Sequence, residues 1–119
     1  MYKRGASVIM LCRSEDRAKA AMKWITENNE ENSGNGSLRL ELCDLSSMKS
    51  VKNCADRLLG SVEMIDILVN NAGTFRGLKN TTDDGFELTL AANYLGHFLL
   101  TELLMPLLKK SAESGFRPR

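Results

Sequence analysis

Hydrophobic and polar residues alternate along the chain in two distinct ways. Three short segments rich in branched apolar side chains predict β-strands, and they are Ser7–Cys12, Leu38–Cys43 and Ile65–Asn70. The segments between and after them carry apolar residues at helical spacing. Because strands alternate with helical crossovers of this length, the order predicts an α/β chain with parallel strands in a doubly wound sheet, forming one domain over residues 1–119.

Local signals place the helices and one loop. Ser14 is predicted to cap the first helix, and Ser46 or Ser47 the second. Residues 28–37, rich in Asn, Gly, Ser and Glu, predict a solvated loop. A third helical region is predicted over residues 83–110, either as one helix or as two that meet near Asn93. Polar residues interrupt its apolar run, which favours a buried or interface helix over a membrane span.

Charge and cysteine content argue against several classes of protein. The 16 basic and 15 acidic residues nearly balance, which disfavours a nucleic-acid partner or a basic membrane-binding surface. Cys12, Cys43 and Cys54 show no Cys-x-x-Cys spacing and are interpreted as reduced thiols in an intracellular compartment. His97 is the single histidine, so we expect no metal site. No secretory signal is visible, and membrane association is expected only through an anchor upstream of Met1.

One tetrapeptide and several other segments give the chain a specific resemblance. Asn70-Asn71-Ala72-Gly73 directly follows the third predicted strand, where Asn side chains can tie neighbouring backbone while Ala and Gly let a ligand approach. The other segments are Cys12-Arg13, Cys43-Asp44-Leu45, Asp84-Gly85-Phe86-Glu87 and Asn93-Tyr94-Leu95-Gly96-His97-Phe98-Leu99-Leu100-Thr101. In this order they resemble the classical short-chain dehydrogenase/reductase family, most closely its retinol dehydrogenase-like branch.

The resemblance implies a partial Rossmann-like fold and a nicotinamide cofactor. It places Arg13 at the 2′-phosphate of NADP, which suits a planar guanidinium, with a solvated arginine at a strand end as the alternative. It places Asp44 at the adenine amino group and Leu45 in the adenine pocket, and a helix cap is a second, compatible role for Asp44. The cofactor-side turn is placed at Asn70, Ala72 and Gly73.

The resemblance also implies one catalytic residue, Asn93, which would hold a water that links the family's catalytic lysine to solvent. The alternative is a buried asparagine that ties loops together. The family's catalytic serine and Tyr-x-x-x-Lys are not found, because neither Tyr2 nor Tyr94 is followed by lysine four residues later. The implied reaction is hydride transfer between nicotinamide and an alcohol or carbonyl compound, such as a retinoid or a lipid aldehyde. We expect this chain to be inactive alone.

The start of the chain carries a related expectation. Tyr2-Lys3-Arg4-Gly5 places two cations before a glycine, the pattern of a helix end, with a loose tail as the alternative. In dinucleotide-binding units the glycine-rich turn lies about 20 residues before the ribose-selecting residue. Counting back from Arg13 puts that turn and the first strand upstream of Met1. Because that strand would lie inside the sheet, we expect the isolated chain to be poorly stable.

Two further functions remain open from the residues alone. A non-catalytic interaction protein would retain the helix over residues 83–110 as the face of a homodimer. The interpretation as a flavodoxin-like receiver is weaker, because this chain lacks an acidic cluster at its strand ends. That interpretation also does not account for Asn70–Gly73.

Overall fold

The computed structural model describes residues 1–28, 36–75 and 80–119. They form two compact units, Met1–Cys43 and Asp44–Arg119, each with its own elements. The solvated loop predicted over residues 28–37 falls mostly outside the described residues.

The first unit is a strand-helix-strand motif. β1 (Ser7–Cys12) and β2 (Ser37–Leu42) pair in parallel, in a register that runs from Ser7 opposite Ser37 to Cys12 opposite Leu42. Helix α1 (Glu15–Glu27) connects them. Parallel pairing requires such a crossover, since a short turn would return the chain antiparallel. The first two predicted strands and their parallel arrangement are therefore confirmed, with β2 displaced by one residue at each end.

The predicted helix end near the N-terminus is present as one short turn. Tyr2–Arg4 forms a 3-10 helix that stops at Gly5, whose φ of 82° is left-handed and whose amide donates to the Tyr2 carbonyl at 2.9 Å. A Cβ added to Gly36 would lie 2.5 Å from the same carbonyl oxygen. The turn therefore packs closely on the residue that precedes β2, and a side chain larger than hydrogen does not fit there.

The second unit is built on two packed helices. Helix α2 (Met48–Leu59) begins at Ser47, whose hydroxyl accepts from the Ser50 amide at 3.2 Å, so the predicted cap is confirmed. The long helix, Leu88–Glu113, packs on α2. The buried side chains that form this contact are Val51, Cys54, Ala55 and Leu58 of α2 and Leu100, Leu104 and Leu107 of the long helix.

The long helix is continuous but irregular. It consists of one α-helical turn at Leu88–Leu90, a π-helical segment at Ala91–Leu95 and regular α-helix over Gly96–Glu113. The sequence left open whether one helix or two meet near Asn93, and the structure shows one helix with a change of winding at that residue. By length and composition this helix could cross a membrane, and 22% of its apolar window is buried. Leu100, Leu104 and Leu107 are buried and lie on one face of this helix.

The predicted start of this helix near residue 83 is wrong by five residues. Gly85 has a left-handed φ of 84°, and the Thr82 amide donates to the Phe86 carbonyl at 2.8 Å, so the chain makes a tight turn there. The helix starts only at Leu88. Glu87 caps it by accepting from the amides of Thr89 and Leu90 at 2.8 and 2.7 Å.

The third predicted strand, Ile65–Asn70, is also wrong: this segment is extended but forms no strand. Its ladder partner among the described residues is a single residue, Arg119. The Arg119 amide donates to the Asp66 carbonyl at 3.1 Å, and the Leu68 amide donates to the Arg119 carbonyl at 2.7 Å. That is the bond pattern of a parallel pair, but one residue does not make a ladder. Ile67 and Val69 consequently remain 44% and 61% exposed.

Candidate functional site

The Asn70–Gly73 turn is fixed to the long helix at its first residue. The Asn70 side-chain amide donates to the Thr101 hydroxyl at 3.0 Å, and that hydroxyl donates to the His97 carbonyl at 2.8 Å. A hydroxyl can accept and donate at once, so Thr101 relays the bond to the helix backbone. The structure therefore brings the end of the extended segment and the helix together through polar contacts.

A second attachment lies four residues later, at Thr74, and uses Asn93. Its Oδ1 accepts from the Thr74 amide at 2.8 Å, and its Nδ2 donates to the Thr74 carbonyl at 2.9 Å. Both polar atoms of the side chain are engaged with one residue, so the geometry resembles a pair of ladder bonds. The interpretation of Asn93 as a residue that ties loops together describes what its side chain does in this structure.

The π-helical segment Ala91–Leu95 contains Asn93. A π-turn holds one residue more than an α-turn, and such segments occur often at functional sites. The amide of Gly96 donates to the Ala91 carbonyl, which closes the wider turn. At the start of the helix, the amides of Thr89 and Leu90 donate to Glu87 and hold the pKa of that carboxyl below its usual value.

A groove of about 310 Å³ lies on this side of the long helix. We call it the Asn93 groove, and its lining residues are Asn70, Asn93, Tyr94, His97, Phe98, Thr101 and Glu102. The rings of Tyr94 and Phe98 stack with centroids 6.4 Å apart and are 61% and 58% exposed. The groove thus combines polar groups of the Asn70–Gly73 turn and the long helix with an exposed aromatic surface, and it is open to solvent.

The Asp44–Leu45 turn lies in the same unit, at the start of α2. Asp44 Oδ1 accepts from the amide and the hydroxyl of Ser46 at 2.9 and 2.6 Å, and the Asp44 amide donates to the Ser50 hydroxyl at 2.9 Å. Asp44 therefore does not cap α2 itself, because Ser47 does. Its second carboxylate oxygen, Oδ2, makes no hydrogen bond within the described part of the chain.

Gly96 is a residue of this region that the sequence did not single out. A Cβ at Gly96 would lie 2.2 Å from the Leu45 carbonyl oxygen, so only glycine lets the long helix approach the Asp44–Leu45 turn. Thr74 and Thr101 were also missed. The available signals were a glycine and a threonine inside an apolar helix. Neither reveals its partner, because Leu45 lies about 50 residues from Gly96 and Asn70 lies about 30 residues from Thr101.

Arg13 belongs to the first unit and follows β1. Its side chain is exposed, and within the residues that the structure describes it takes part in no ion pair or hydrogen bond. Arg17, the next arginine, is exposed on α1. The structure thus brings two of the predicted site residues, Asn70 and Asn93, to one groove. Ala72 and Gly73 lie between the two attachments of this segment to the long helix. The Asp44–Leu45 turn lies against Gly96. Across the three described ranges, no group of three His, Cys, Asp or Glu side chains could hold a metal ion.

Comparison with known proteins gives a consistent result. The family model described as short chain dehydrogenase matches residues 1–115. Retinol dehydrogenase 13 of Mus musculus is 45% identical over 114 residues, which are 96% of this chain and 33% of the relative. The chain thus spans about a third of the length of the curated relatives it matches.

Solved structures agree with this result. An uncharacterised protein from Mycobacterium paratuberculosis superposes with a TM-score of 0.72 at 36% identity, covering 90% of this chain and 35% of that one. Pseudomonas aeruginosa RhlG, in an active-site complex with NADP, superposes with a TM-score of 0.70 at 27% identity, covering 92% of this chain and 41% of that one.

Proposed function

Because the chain belongs to the short-chain dehydrogenase family, on its retinol dehydrogenase-like branch, we propose that it forms the adenosine side of an NADP-dependent oxidoreductase. The proposed reaction transfers hydride between nicotinamide and an alcohol or carbonyl compound, such as a retinoid or a lipid aldehyde. The observation that carries the proposal is the double attachment of the Asn70–Thr74 segment to the long helix, which fixes the turn where the cofactor would lie.

The chain's own residues fit the adenosine end of NADP. Arg13 is exposed and has no partner among the described residues, so its guanidinium is available to a 2′-phosphate. Asp44 keeps Oδ2 available as an acceptor for the adenine amino group, and Leu45 is half-buried beside it. Bound NADP would supply the nicotinamide that gives or takes the hydride.

The Asn70–Gly73 turn fits a closely approaching ligand. A Cβ at Gly73 would meet only the Asn93 Oδ1, at an ordinary 3.8 Å, so packing within the described residues does not require glycine there. Asn70, Ala72 and Gly73 are all exposed. We assign these three residues to the cofactor side of the site, since a small exposed turn lets a ligand reach the backbone.

Asn93 is the proposed catalytic residue. Both ends of its side chain bind Thr74, and its backbone carbonyl oxygen lies 3.1 Å from His97 Nδ1. A water that carries protons between the catalytic lysine and solvent would therefore share this carbonyl with His97. The chain has no Tyr-x-x-x-Lys, because Ala6 and Phe98 lie four residues after its two tyrosines. We therefore propose that this chain is inactive alone and that the proposed activity requires the part of the family's fold that carries this motif.

A non-catalytic interaction protein is the second candidate. The exposed residues Leu90, Tyr94 and Phe98 recur every four positions on the long helix and form an apolar stripe, which suits a homodimer through residues 83–110. We propose a reducing intracellular compartment for either function.

NADPH binding and a chimera test the first candidate. The chain should quench or shift NADPH fluorescence, and Arg13→Ala should weaken this more than Arg17→Ala. A full-length chimera, in which this chain replaces the matching third of mouse retinol dehydrogenase 13, should oxidise retinol with NADP, whereas the chain alone should not. A chimera that folds but is inactive, together with an NADPH fluorescence signal that does not change, would refute the oxidoreductase. A dimer that forms with rising protein concentration and binds no cofactor would support the interaction protein.

A further inference from the structure

His97 lines the Asn93 groove, and the proposed function gives its side chain no task. Its imidazole is half-buried. Ring nitrogen Nδ1 lies 3.1 Å from the carbonyl oxygen of Asn93, one helical turn earlier. The backbone carbonyl of His97 is held by the Thr101 hydroxyl at 2.8 Å. The residue is therefore positioned through both its side chain and its backbone.

The contact with Asn93 decides which nitrogen carries the hydrogen. A carbonyl oxygen only accepts hydrogen bonds, so Nδ1 must donate. In a neutral imidazole the other nitrogen then keeps a free lone pair, and the hydrogen bond at one nitrogen sets the state of the other. Nε2 is thus an acceptor, and in residues 1–28, 36–75 and 80–119 it has no hydrogen-bond partner.

We propose that His97 Nε2 is a binding site for an O–H donor in the Asn93 groove, either a water molecule or the hydroxyl of an apolar alcohol. Both sources share the chemistry that an unprotonated imidazole nitrogen recognises. The stacked rings of Tyr94 and Phe98 border the same groove and offer an apolar surface beside this acceptor. The inference rests on the proposed function in one respect, namely that the groove belongs to the site of an oxidoreductase that acts on an alcohol or carbonyl compound.

Nitrogen NMR tests the assignment directly, since His97 is the only histidine and its two ring signals need no further assignment. With ¹⁵N-histidine label at about pH 8.5, where an ordinary imidazole is neutral, Nδ1 should carry the proton. Cyclohexanol is the probe, and cyclohexyl methyl ether, which lacks the O–H group, is the control. A shift of Nε2 with the alcohol and not with the ether identifies an alcohol hydroxyl as the donor. A hydrogen-bonded Nε2 that neither probe moves identifies water.

Protonation at Nε2 would overturn the proposal, as would an Nε2 signal at the position of a free acceptor that cyclohexanol leaves unmoved. His97→Asn retains a donor near Nδ1 and lacks Nε2, whereas His97→Gln reaches the Nε2 position. If the alcohol is the donor, its shift of the Thr101 amide signal should weaken about threefold to tenfold in His97→Asn and persist in His97→Gln. Equal loss in both variants would indicate a purely structural histidine. Failure of NADPH binding together with an inactive folded chimera would refute the oxidoreductase without changing the tautomer of His97.

Discussion

The side-chain amide of Asn93 binds the backbone of Thr74 in both directions, accepting from its amide at 2.8 Å and donating to its carbonyl at 2.9 Å. Each such bond contributes about 0.5–1.5 kcal/mol to stability. Asn93→Ala removes both and should accelerate hydrogen exchange of the Thr74 amide by about tenfold, since about 1.4 kcal/mol corresponds to a factor of ten. Asn93→Asp retains only the accepting oxygen, so its Thr74 amide should exchange at a rate between those of the wild type and Asn93→Ala. Unchanged exchange in Asn93→Ala would contradict this attachment.

Gly96→Ala should destabilise the chain, although alanine favours a helix by about 1 kcal/mol over glycine. The added Cβ would lie 2.2 Å from the Leu45 carbonyl oxygen, and overpacking of this kind costs about 1–3 kcal/mol. Gly60→Ala is the matched control, because its Cβ would meet nothing closer than 3.6 Å. Urea unfolding should show a loss for Gly96→Ala and no loss for Gly60→Ala, and equal midpoints would exclude the close approach.

Ser111→Ala should also destabilise the chain. The Ser111 side chain is fully buried, and its hydroxyl donates to Asp66 Oδ1 at 2.5 Å. A hydrogen bond to a charged group contributes about 1.5–3 kcal/mol, and the exposure of Asp66 favours the lower end. Ser114→Ala removes an exposed hydroxyl that donates to the Ser111 carbonyl at 2.7 Å, and it should cost less because that bond joins two uncharged groups at the surface. The melting temperatures of the two variants should be compared with that of the wild type. A Ser111→Ala variant as stable as the wild type would show that the bond to Asp66 does not stabilise the long helix.

Acid should loosen the start of the long helix. The amides of Thr89 and Leu90 donate to Glu87 and lower its pKa, so its contribution is complete above the pH at which an ordinary glutamate titrates. It is lost as the pH falls through the lowered pKa. Exchange of the Thr89 and Leu90 amides should therefore rise over that acidic range in the wild type. Glu87→Gln should show no such pH step, and a wild-type profile without a step would refute the cap.

Arg13→Ala should change cofactor preference rather than cofactor binding in general. A charge-assisted hydrogen bond of about 1.5–3 kcal/mol corresponds to about a 10-fold to 100-fold loss of NADPH affinity. NADH affinity should stay the same, because NADH lacks the 2′-phosphate. Arg17→Ala serves as the control for a general loss of positive charge. Equal losses for NADPH and NADH would contradict the assignment.

Local signals allowed much of the first unit to be predicted. Short apolar or alternating runs predicted β1 and β2, and in the second unit Ser46 or Ser47 was predicted to start α2, because each of these depends on nearby residues alone. The segment Ile65–Asn70 has the same strand pattern, yet a strand also needs a partner strand beside it. Only Arg119 supplies ladder bonds to it among the described residues. The prediction failed there because a strand is a property of a sheet and not of a segment.

The candidate site shows the same division. The position of Asn93 at a helix irregularity was anticipated from an asparagine in an apolar run. Its partner Thr74 and the approach of Gly96 to Leu45 depend on the fold of residues far apart in sequence, so no local pattern reveals them. The resemblance to a family supplied the proposed roles of Arg13 and Asp44, and geometry alone would not have done so.

The π-helical segment Ala91–Leu95 also determines how the two faces of the long helix are phased. An α-helix advances about 100° per residue, so one residue added or removed rotates everything downstream by that angle. Deleting a single residue between positions 91 and 95 would restore a regular α-helix. It would then turn either Asn93 away from Thr74 or Leu104 away from α2. The single extra residue therefore lets one continuous helix serve a polar site and an apolar core at once.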